Sequence, residues 1–280
     1  MTSFANALRN KVYIHNVSLS KFRVEHKMFE FDQFRRVVLV PHYQLIIKDL
    51  IYNISERMEA NAPKGNMDER AIIVLDRYKV KLPASSFDQE TYLAGFETLI
   101  ANMFPTEIIF DATAVELNDV KMLVADFKLH VQAAASNNDA FRFRFLRCHP
   151  LLQGSRQRFM YPLSTLLLFE YLESKGNFFW NEYDIFATDG RMIDILGTIN
   201  GSKDFEEIYN WGGRTYDDTG RDELEYIRNV YTHISQLQGV CDAAMNEERI
   251  EHDLSQLFPT VLTCLYAFCA NKHISLDFLQ

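Results

Sequence analysis

The basic residues best suited to binding phosphate lie close together in this sequence. Between residues 140 and 169 the chain contains five arginines and no aspartate or glutamate. Guanidinium groups can bind phosphate or carboxylate oxygens through two parallel hydrogen bonds, which suits them to nucleic acid or to acidic protein surfaces. The five residues are Arg142, Arg144, Arg147, Arg156 and Arg158.

An alternating pattern predicts how the first of these arginines are displayed. Residues 141–145 read Phe-Arg-Phe-Arg-Phe, and a strand with this pattern places the arginines on one face. Residues 121–134 also alternate apolar and polar side chains, and the turn-forming residues 135–139 separate the two segments. We therefore expect an antiparallel hairpin with one shared polar face. That face would carry Lys128, His130, Arg142 and Arg144.

A basic sheet face of this kind predicts contact with RNA or single-stranded DNA. It would continue through Arg147 into a loop that holds Arg156 and Arg158, and its affinity for phosphates would depend strongly on salt. Phe159 and Tyr161 beside it could stack on bases. The alternative is that the arginines pair with acidic residues of the same chain or of another subunit.

Two aspartates and a lysine form a second pattern with possible chemistry. Asp111 lies on one predicted strand, and an Asp-Phe-Lys triplet runs from Asp126 to Lys128 on the next. This arrangement resembles the core of PD-(D/E)xK nucleases, although Phe110 stands where that family has proline. The resemblance implies that Asp111 and Asp126 hold Mg²⁺ and that Lys128 orients or activates water. Mg²⁺ would then be the cofactor; the nucleic-acid-binding interpretation needs none.

The signatures of several common enzyme classes are absent from the sequence. It contains no GxxxxGK[ST] phosphate loop, no GxGxxG, no HExxH and no GxSxG. We therefore expect a non-enzymatic protein in preference to an enzyme.

Charge is divided unevenly along the chain, whose formal net charge is −9. Residues 1–150 hold 19 Lys and Arg against 18 Asp and Glu, a net charge of +1. Residues 151–280 hold 10 against 20, a net charge of −10. This asymmetry suggests that one half meets an anionic partner, or that the acidic half docks on the arginines of a neighbouring copy.

Composition and periodicity predict an α+β protein in two parts. Residues 1–150 are expected to form a mixed part with an antiparallel β-meander or hairpin, and residues 151–280 a mainly helical part. A hydrophobic content of 48% is enough for a packed core. The four cysteines show no CxxC pairing, and no apolar run approaches the length of a membrane span. We expect a soluble cytoplasmic protein with reduced thiols and no membrane contact.

The C-terminal segment predicts self-association. Residues 274–279 alternate apolar and polar side chains, and such an extended tail gains stability by adding to a sheet edge or packing into a groove, on its own body or on a neighbour. The residues expected to mediate a homo-oligomer are Ile274, Leu276, Phe278 and Leu279.

These observations favour a non-enzymatic, self-assembling protein that contacts nucleic acid through the basic face. A viral or phage nucleoprotein, a capsid-associated protein or a replication-compartment protein would fit this description. The alternatives are a Mg²⁺-dependent nuclease and a purely structural assembly protein whose arginines bind acidic neighbours.

Overall fold

The computed structural model describes residues 16–60, 67–83, 89–104, 114–137, 139–233 and 247–276. Within these ranges the chain is mostly helical with a few short antiparallel strands, so the α+β class is confirmed in this broad form. The chain divides into two compact units, Met1–Leu152 and Gln153–Gln280.

Short strands of the first unit form two small antiparallel sheets. One sheet has the order β1-β4-β5, with Val17 opposite Val74 and Val74 opposite Val80. The other pairs β2 with β3, with Phe29 opposite Leu39. The strands are β1 (Val17–Ser18), β2 (Phe29–Phe31), β3 (Val37–Leu39), β4 (Ile73–Val74) and β5 (Val80–Lys81).

Helices supply most of the framework of the first unit. They are α1 (Leu19–Glu25), α2 (Pro41–Glu59), α3 (Gln89–Met103), α4 (Ala114–Ser136) and α5 (Ala140–Phe145). Short 3₁₀ turns follow α5 at Leu146–Cys148 and Pro150–Leu152, and another lies at Asp76–Tyr78 between β4 and β5.

The helix α2 is central to the core of this unit. Pro41 stands in its first turn, where the missing N–H costs nothing and the fixed φ favours helix. Its apolar residues recur every three or four positions, so that Ile46, Ile47, Leu50 and Ile54 are fully buried in one hydrophobic cluster. The opposite side of α2 faces solvent.

The segment predicted as the first hairpin strand is helical, so that prediction was wrong. Residues 121–134 lie within α4, and the buried side chains Val124, Phe127, Val131 and Ala134 follow a helical repeat. The segment is so rich in apolar residues that it satisfies both the strand and the helix period. Leucine, alanine, lysine and glutamine favour the helix, and Leu129 is consequently left exposed.

The Phe-Arg-Phe-Arg-Phe segment is also helical, which corrects the second predicted strand. The Asp139 side chain accepts a hydrogen bond from the Arg142 backbone N–H at 3.0 Å and caps α5. Phe141 stacks on Phe145, one helical turn away, with ring centroids 5.4 Å apart. The remaining predicted strand, residues 107–115, falls outside the described residues except for 114 and 115, which begin α4.

The described residues of the second unit are helices and connecting turns. The helices are α6 (Ser155–Ser174), α7 (Trp180–Thr188), α8 (Ile195–Ile199), α9 (Lys203–Tyr209), α10 (Gly220–His233), α11 (Glu247–Leu257) and α12 (Val261–Lys272). The long helix α6 packs against α10, α11 and α12.

Aromatic rings fill part of the core of the second unit. Phe169 of α6 stacks on Phe178 with ring centroids 4.4 Å apart, and Tyr183 of α7 meets Phe268 of α12 edge-on at 5.2 Å. Such pairs add about 0.5–1.5 kcal/mol each beyond the burial of their area. Across the described ranges, no helix combines the length and the apolarity that crossing a bilayer requires.

Candidate nucleic-acid interface

The predicted single face of arginines does not exist in α5. Residues two positions apart on a helix lie about 200° apart around its axis, so Arg142 and Arg144 point in different directions. Each has its own acidic neighbour. Arg142 Nε lies 3.3 Å from Asp139 Oδ2, and Arg144 Nη1 donates to Glu59 Oε1 of α2 at 3.0 Å.

Arg147 lies beside the exposed side of α2. Its guanidinium carbon is 5.3 Å from the centre of the Tyr52 ring, within the range of a cation–π contact. Lys48 lies one turn before Tyr52 on the same helix, and Glu59, the partner of Arg144, follows two turns after it. The short segment from α5 into the 3₁₀ turn therefore brings two arginines against one stripe of α2.

These contacts define a basic patch on the first unit. Burial lowers the pKa of Lys48 to about 8, and the nearby positive charge of Arg147 acts in the same direction, whereas the Cys148 thiol opposes the shift. We call the surface formed by Lys48, Tyr52, Arg144 and Arg147 the α2 basic patch. Of these residues, the sequence predicted Arg144 and Arg147. It missed Lys48 and Tyr52, although residues four apart in sequence lie on one face of a helix.

Lys128 and His130 of α4 are engaged elsewhere. The Lys128 ammonium group donates to the backbone carbonyl of Phe104, and burial lowers its pKa. Burial also lowers the pKa of His130 to about 4, against the influence of Asp126, which raises it. His130 is therefore neutral near pH 7 and offers no positive charge to a phosphate.

A buried histidine–aspartate pair also lies in this region, and no sequence pattern predicted it. His149 is fully buried, and its Nε2 lies 2.9 Å from Asp126 Oδ2 of α4. Its Nδ1 accepts the Leu151 N–H at 3.1 Å, so the proton of the neutral ring belongs on Nε2, which donates to Asp126. His130 Nε2 lies 3.8 Å from the same carboxylate oxygen.

The predicted nuclease residues do not converge where the structure describes them. Asp126 faces His149 and Lys128 faces the Phe104 carbonyl, and the helical conformation separates the two side chains. Asp111 lies outside the described residues. Among the side chains that the structure describes, no three His, Cys, Asp or Glu residues are arranged to hold a metal ion.

Arg156 and Arg158 lie in helix α6 of the second unit and not in a loop. Arg158 is buried, with Nε donating to Glu251 Oε1 at 2.8 Å and Nη1 donating to the Gln153 carbonyl at 2.8 Å. Arg156 is 83% exposed, with Nε 3.6 Å from Glu247 Oε2. Phe159 and Tyr161 are buried, so they are not available to stack on bases.

Other acidic residues of the second unit are also paired with arginine. Arg191 forms two hydrogen bonds with Glu223, at 3.1 and 2.6 Å, and donates to Thr260 Oγ1 at 3.0 Å. Arg221 Nε donates to Glu225 Oε1 at 2.9 Å. These contacts show that part of the acidic excess in this half stabilises its own fold.

The C-terminal tail is only partly described. The Ile274 N–H donates to the Cys269 carbonyl at 2.9 Å, and Leu276 is fully buried within the chain. Leu276 is thus not displayed on the surface. Phe278 and Leu279 lie outside the described residues.

No model of a known protein family matches the sequence, and no curated protein matches it significantly.

Proposed function

We propose that this chain is a non-enzymatic, self-assembling protein that contacts RNA or single-stranded DNA through the α2 basic patch. The observation that carries the proposal is the placement of Lys48 and Arg147 together beside the partly exposed Tyr52 ring. Two neighbouring cations disfavour each other, and a phosphate bound between them would relieve that repulsion. Of the basic residues expected on the sheet face, this patch contains Arg144 and Arg147.

The other members of the patch suit a flexible single strand. Arg144 and Glu59 are each 53% exposed, and an exposed ion pair of this kind is worth at most about 1 kcal/mol, so Arg144 can exchange Glu59 for a phosphate. Tyr52 and the Arg147 guanidinium offer planar surfaces for unstacked bases. The chain's net charge of −9 means that binding would be local to the patch.

The biological role that we propose joins self-assembly to nucleic-acid binding. A viral or phage nucleoprotein, a capsid-associated protein or a replication-compartment protein would combine self-assembly with nucleic-acid contact. In the described part of the chain Cys148, Cys264 and Cys269 form no disulfide, which supports a reducing cytoplasmic setting.

Salt-dependent binding to a labelled single-stranded oligonucleotide tests the proposal. Each phosphate contact on a single strand contributes about 0.7 to the slope of log K against log salt. We expect Arg144→Ala combined with Arg147→Ala to weaken binding at least tenfold at low salt and to reduce the slope by about 1.4. An unchanged slope would remove the patch from the interface.

Arg249 provides a matched control for Arg144. The two side chains are 52% and 53% exposed, and each lies within 3.0 Å of a carboxylate, but Arg249 belongs to the second unit. Arg249→Ala makes the same change in charge as Arg144→Ala alone and is expected to leave the salt slope as it is, whereas Arg144→Ala should reduce it by about 0.7. An equal loss in both variants would indicate a general charge effect and not a site.

A structural role without nucleic acid is the second candidate. It is favoured by the acidic partners found within the chain for Arg142, Arg144, Arg156 and Arg158. Absence of oligonucleotide binding at low salt would support it. Mg²⁺-dependent cleavage in the same assay would instead support the nuclease alternative.

A further inference from the structure

Helix α6 carries an exposed row of apolar side chains. Other residues of this helix pack against α10, α11 and α12 within the second unit. Met160, Leu167 and Tyr171 are 37%, 53% and 58% exposed, and Leu163 between them is partly buried. We call Met160, Leu163, Leu167 and Tyr171 the α6 stripe.

The spacing of the α6 stripe is that of a helix–helix seam. Intervals of three, four and four residues keep the side chains on one face, and the row extends about 17 Å along the axis. A contiguous apolar row on an otherwise folded surface marks a protein contact, whereas scattered apolar side chains do not.

We propose that the α6 stripe binds the α6 stripe of a second copy of this chain, with the two helices antiparallel. The inference rests on the self-assembly included in the proposed function and names the surface that performs it. About a two-fold axis near residues 165 and 166, Met160 faces Tyr171 of the other copy and Leu163 faces Leu167. One surface therefore complements itself, as an isologous dimer requires.

Charges beside the stripe select the antiparallel orientation. Arg156 flanks the first turn of the stripe and Glu170 flanks its last turn, on the same side of the helix by the 3.6-residue repeat. Antiparallel pairing brings Arg156 toward Glu170 of the second copy, whereas parallel pairing keeps these two residues about 21 Å apart along the axis. Among the described residues these side chains form long ion pairs, Arg156 with Glu247 at 3.6 Å and Glu170 with Arg228 at 3.7 Å.

The size of the stripe predicts a weak dimer. A seam of three helical turns buries less than the roughly 1,600 Å² of a typical stable complex. We therefore expect association that depends on concentration in the micromolar range, and a mass that rises toward twice the 32.7 kDa of the chain.

Light scattering and sedimentation of the full-length chain test the interface. Leu167→Asp should raise the dimer dissociation constant more than about tenfold, because it places a charge in the centre of the seam. The matched control is Ile185→Asp on α7, where the native side chain is 70% exposed outside the stripe. A wild-type chain that stays monomeric at high concentration, or a dimer that Leu167→Asp does not weaken, overturns the proposal.

Cross-linking tests the orientation without disturbing the apolar contacts. Antiparallel pairing brings Ser164 of the two copies within about 5 Å along the axis and separates the two Ser174 residues by about 25 Å. A short bismaleimide should therefore link Ser164→Cys dimers and not Ser174→Cys dimers, relative to the background set by the native cysteines. The reverse pattern, or links no stronger than that background, overturns the antiparallel seam even if Leu167→Asp fails to fold.

Oligonucleotide binding measured on the same samples separates this proposal from the function it rests on. A monomeric wild type that still binds the oligonucleotide overturns the α6 interface and leaves the α2 basic patch standing. A Leu167→Asp-sensitive dimer that binds no oligonucleotide supports the interface and argues for the purely structural role.

Discussion

Arg147 and Arg158 carry the same side chain in different surroundings. Arg158 is buried and donates to Glu251 and to a backbone carbonyl, so its charge serves the fold. Arg147 lies over a partly exposed aromatic ring and next to a lysine whose pKa is lowered. Removing charged groups from water is costly, so the buried Arg158–Glu251 pair keeps that arginine bound within its own chain.

Lys48 should make nucleic-acid binding sensitive to mildly alkaline pH. Its pKa of about 8 means that it is protonated below that value and becomes neutral as the pH rises through it. We expect oligonucleotide affinity to fall between about pH 7 and 9, as one phosphate contact is lost. Fluorescence anisotropy at constant ionic strength measures the change.

Lys48→Arg is the control for this pH dependence. Arginine keeps its charge throughout this range, so the variant should bind with nearly constant affinity. A variant that loses affinity with the same profile as the wild type would show that another group titrates. In that case Lys48 would not belong to the phosphate-binding surface.

At the scale of single elements, sequence patterns predicted those structures whose local signals agree with one another. In α2 a proline start, helix-forming residues and an apolar face all indicate the same structure. The alternation that suggested strands in α4 and α5 was misleading. In α5 the cap at Asp139 was the stronger signal, since it satisfies a backbone donor directly.

The contacts that define the sites depend on elements far apart in the sequence. His149 meets Asp126 across 23 residues, and Arg158 meets Glu251 across 93. No spacing rule within one helix connects such residues, because their distance is set by the packing of α4 on the 3₁₀ turn and of α11 on α6. The sequence therefore shows which arginines are present, but not which of them form buried ion pairs within the chain.

The His149–Asp126 pair should make the first unit sensitive to acid. Burial lowers the pKa of His149 below its usual value of about 6.5, and that of His130 to about 4. Between these values the unfolded chain binds more protons than the folded chain, so stability present above about pH 6.5 is lost as the pH falls. Protonation of His149 would also place a hydrogen on Nδ1, which could then no longer accept the hydrogen bond from the Leu151 N–H.

Urea unfolding at a series of pH values, followed by circular dichroism, tests this sensitivity. The midpoint of the wild type should fall between about pH 6.5 and 4. His149→Gln keeps an N–H donor for Asp126 but does not titrate, so its midpoint should be lower at pH 7 and should change less with pH. A midpoint that falls equally in both proteins would assign the acid sensitivity to other groups, with His130 tested next.

At the scale of the whole molecule, the two units provide different partners for their buried polar groups. In the first unit a neutral histidine bridges α4 and a 3₁₀ turn, and in the second unit buried arginine–glutamate pairs join the helices. Acid protonates the histidine of the first unit. Replacing one partner by mutation breaks an arginine–glutamate pair of the second unit. The units should therefore respond separately to these two perturbations.

Both tryptophans, Trp180 and Trp211, lie in the second unit, so their fluorescence reports on that unit alone. Arg158→Ala leaves Glu251 buried without its ion-pair partner and should destabilise this unit by about 3–5 kcal/mol, whereas Arg156→Ala should cost no more than about 1 kcal/mol because that pair is exposed. The urea midpoint detected by tryptophan fluorescence should fall sharply for Arg158→Ala only.

The acid-dependent change of the first unit should appear in circular dichroism before fluorescence changes. A fluorescence change that always coincides with the acid transition would mean that the two units unfold as one. The prediction that acid destabilises the first unit separately would then be wrong.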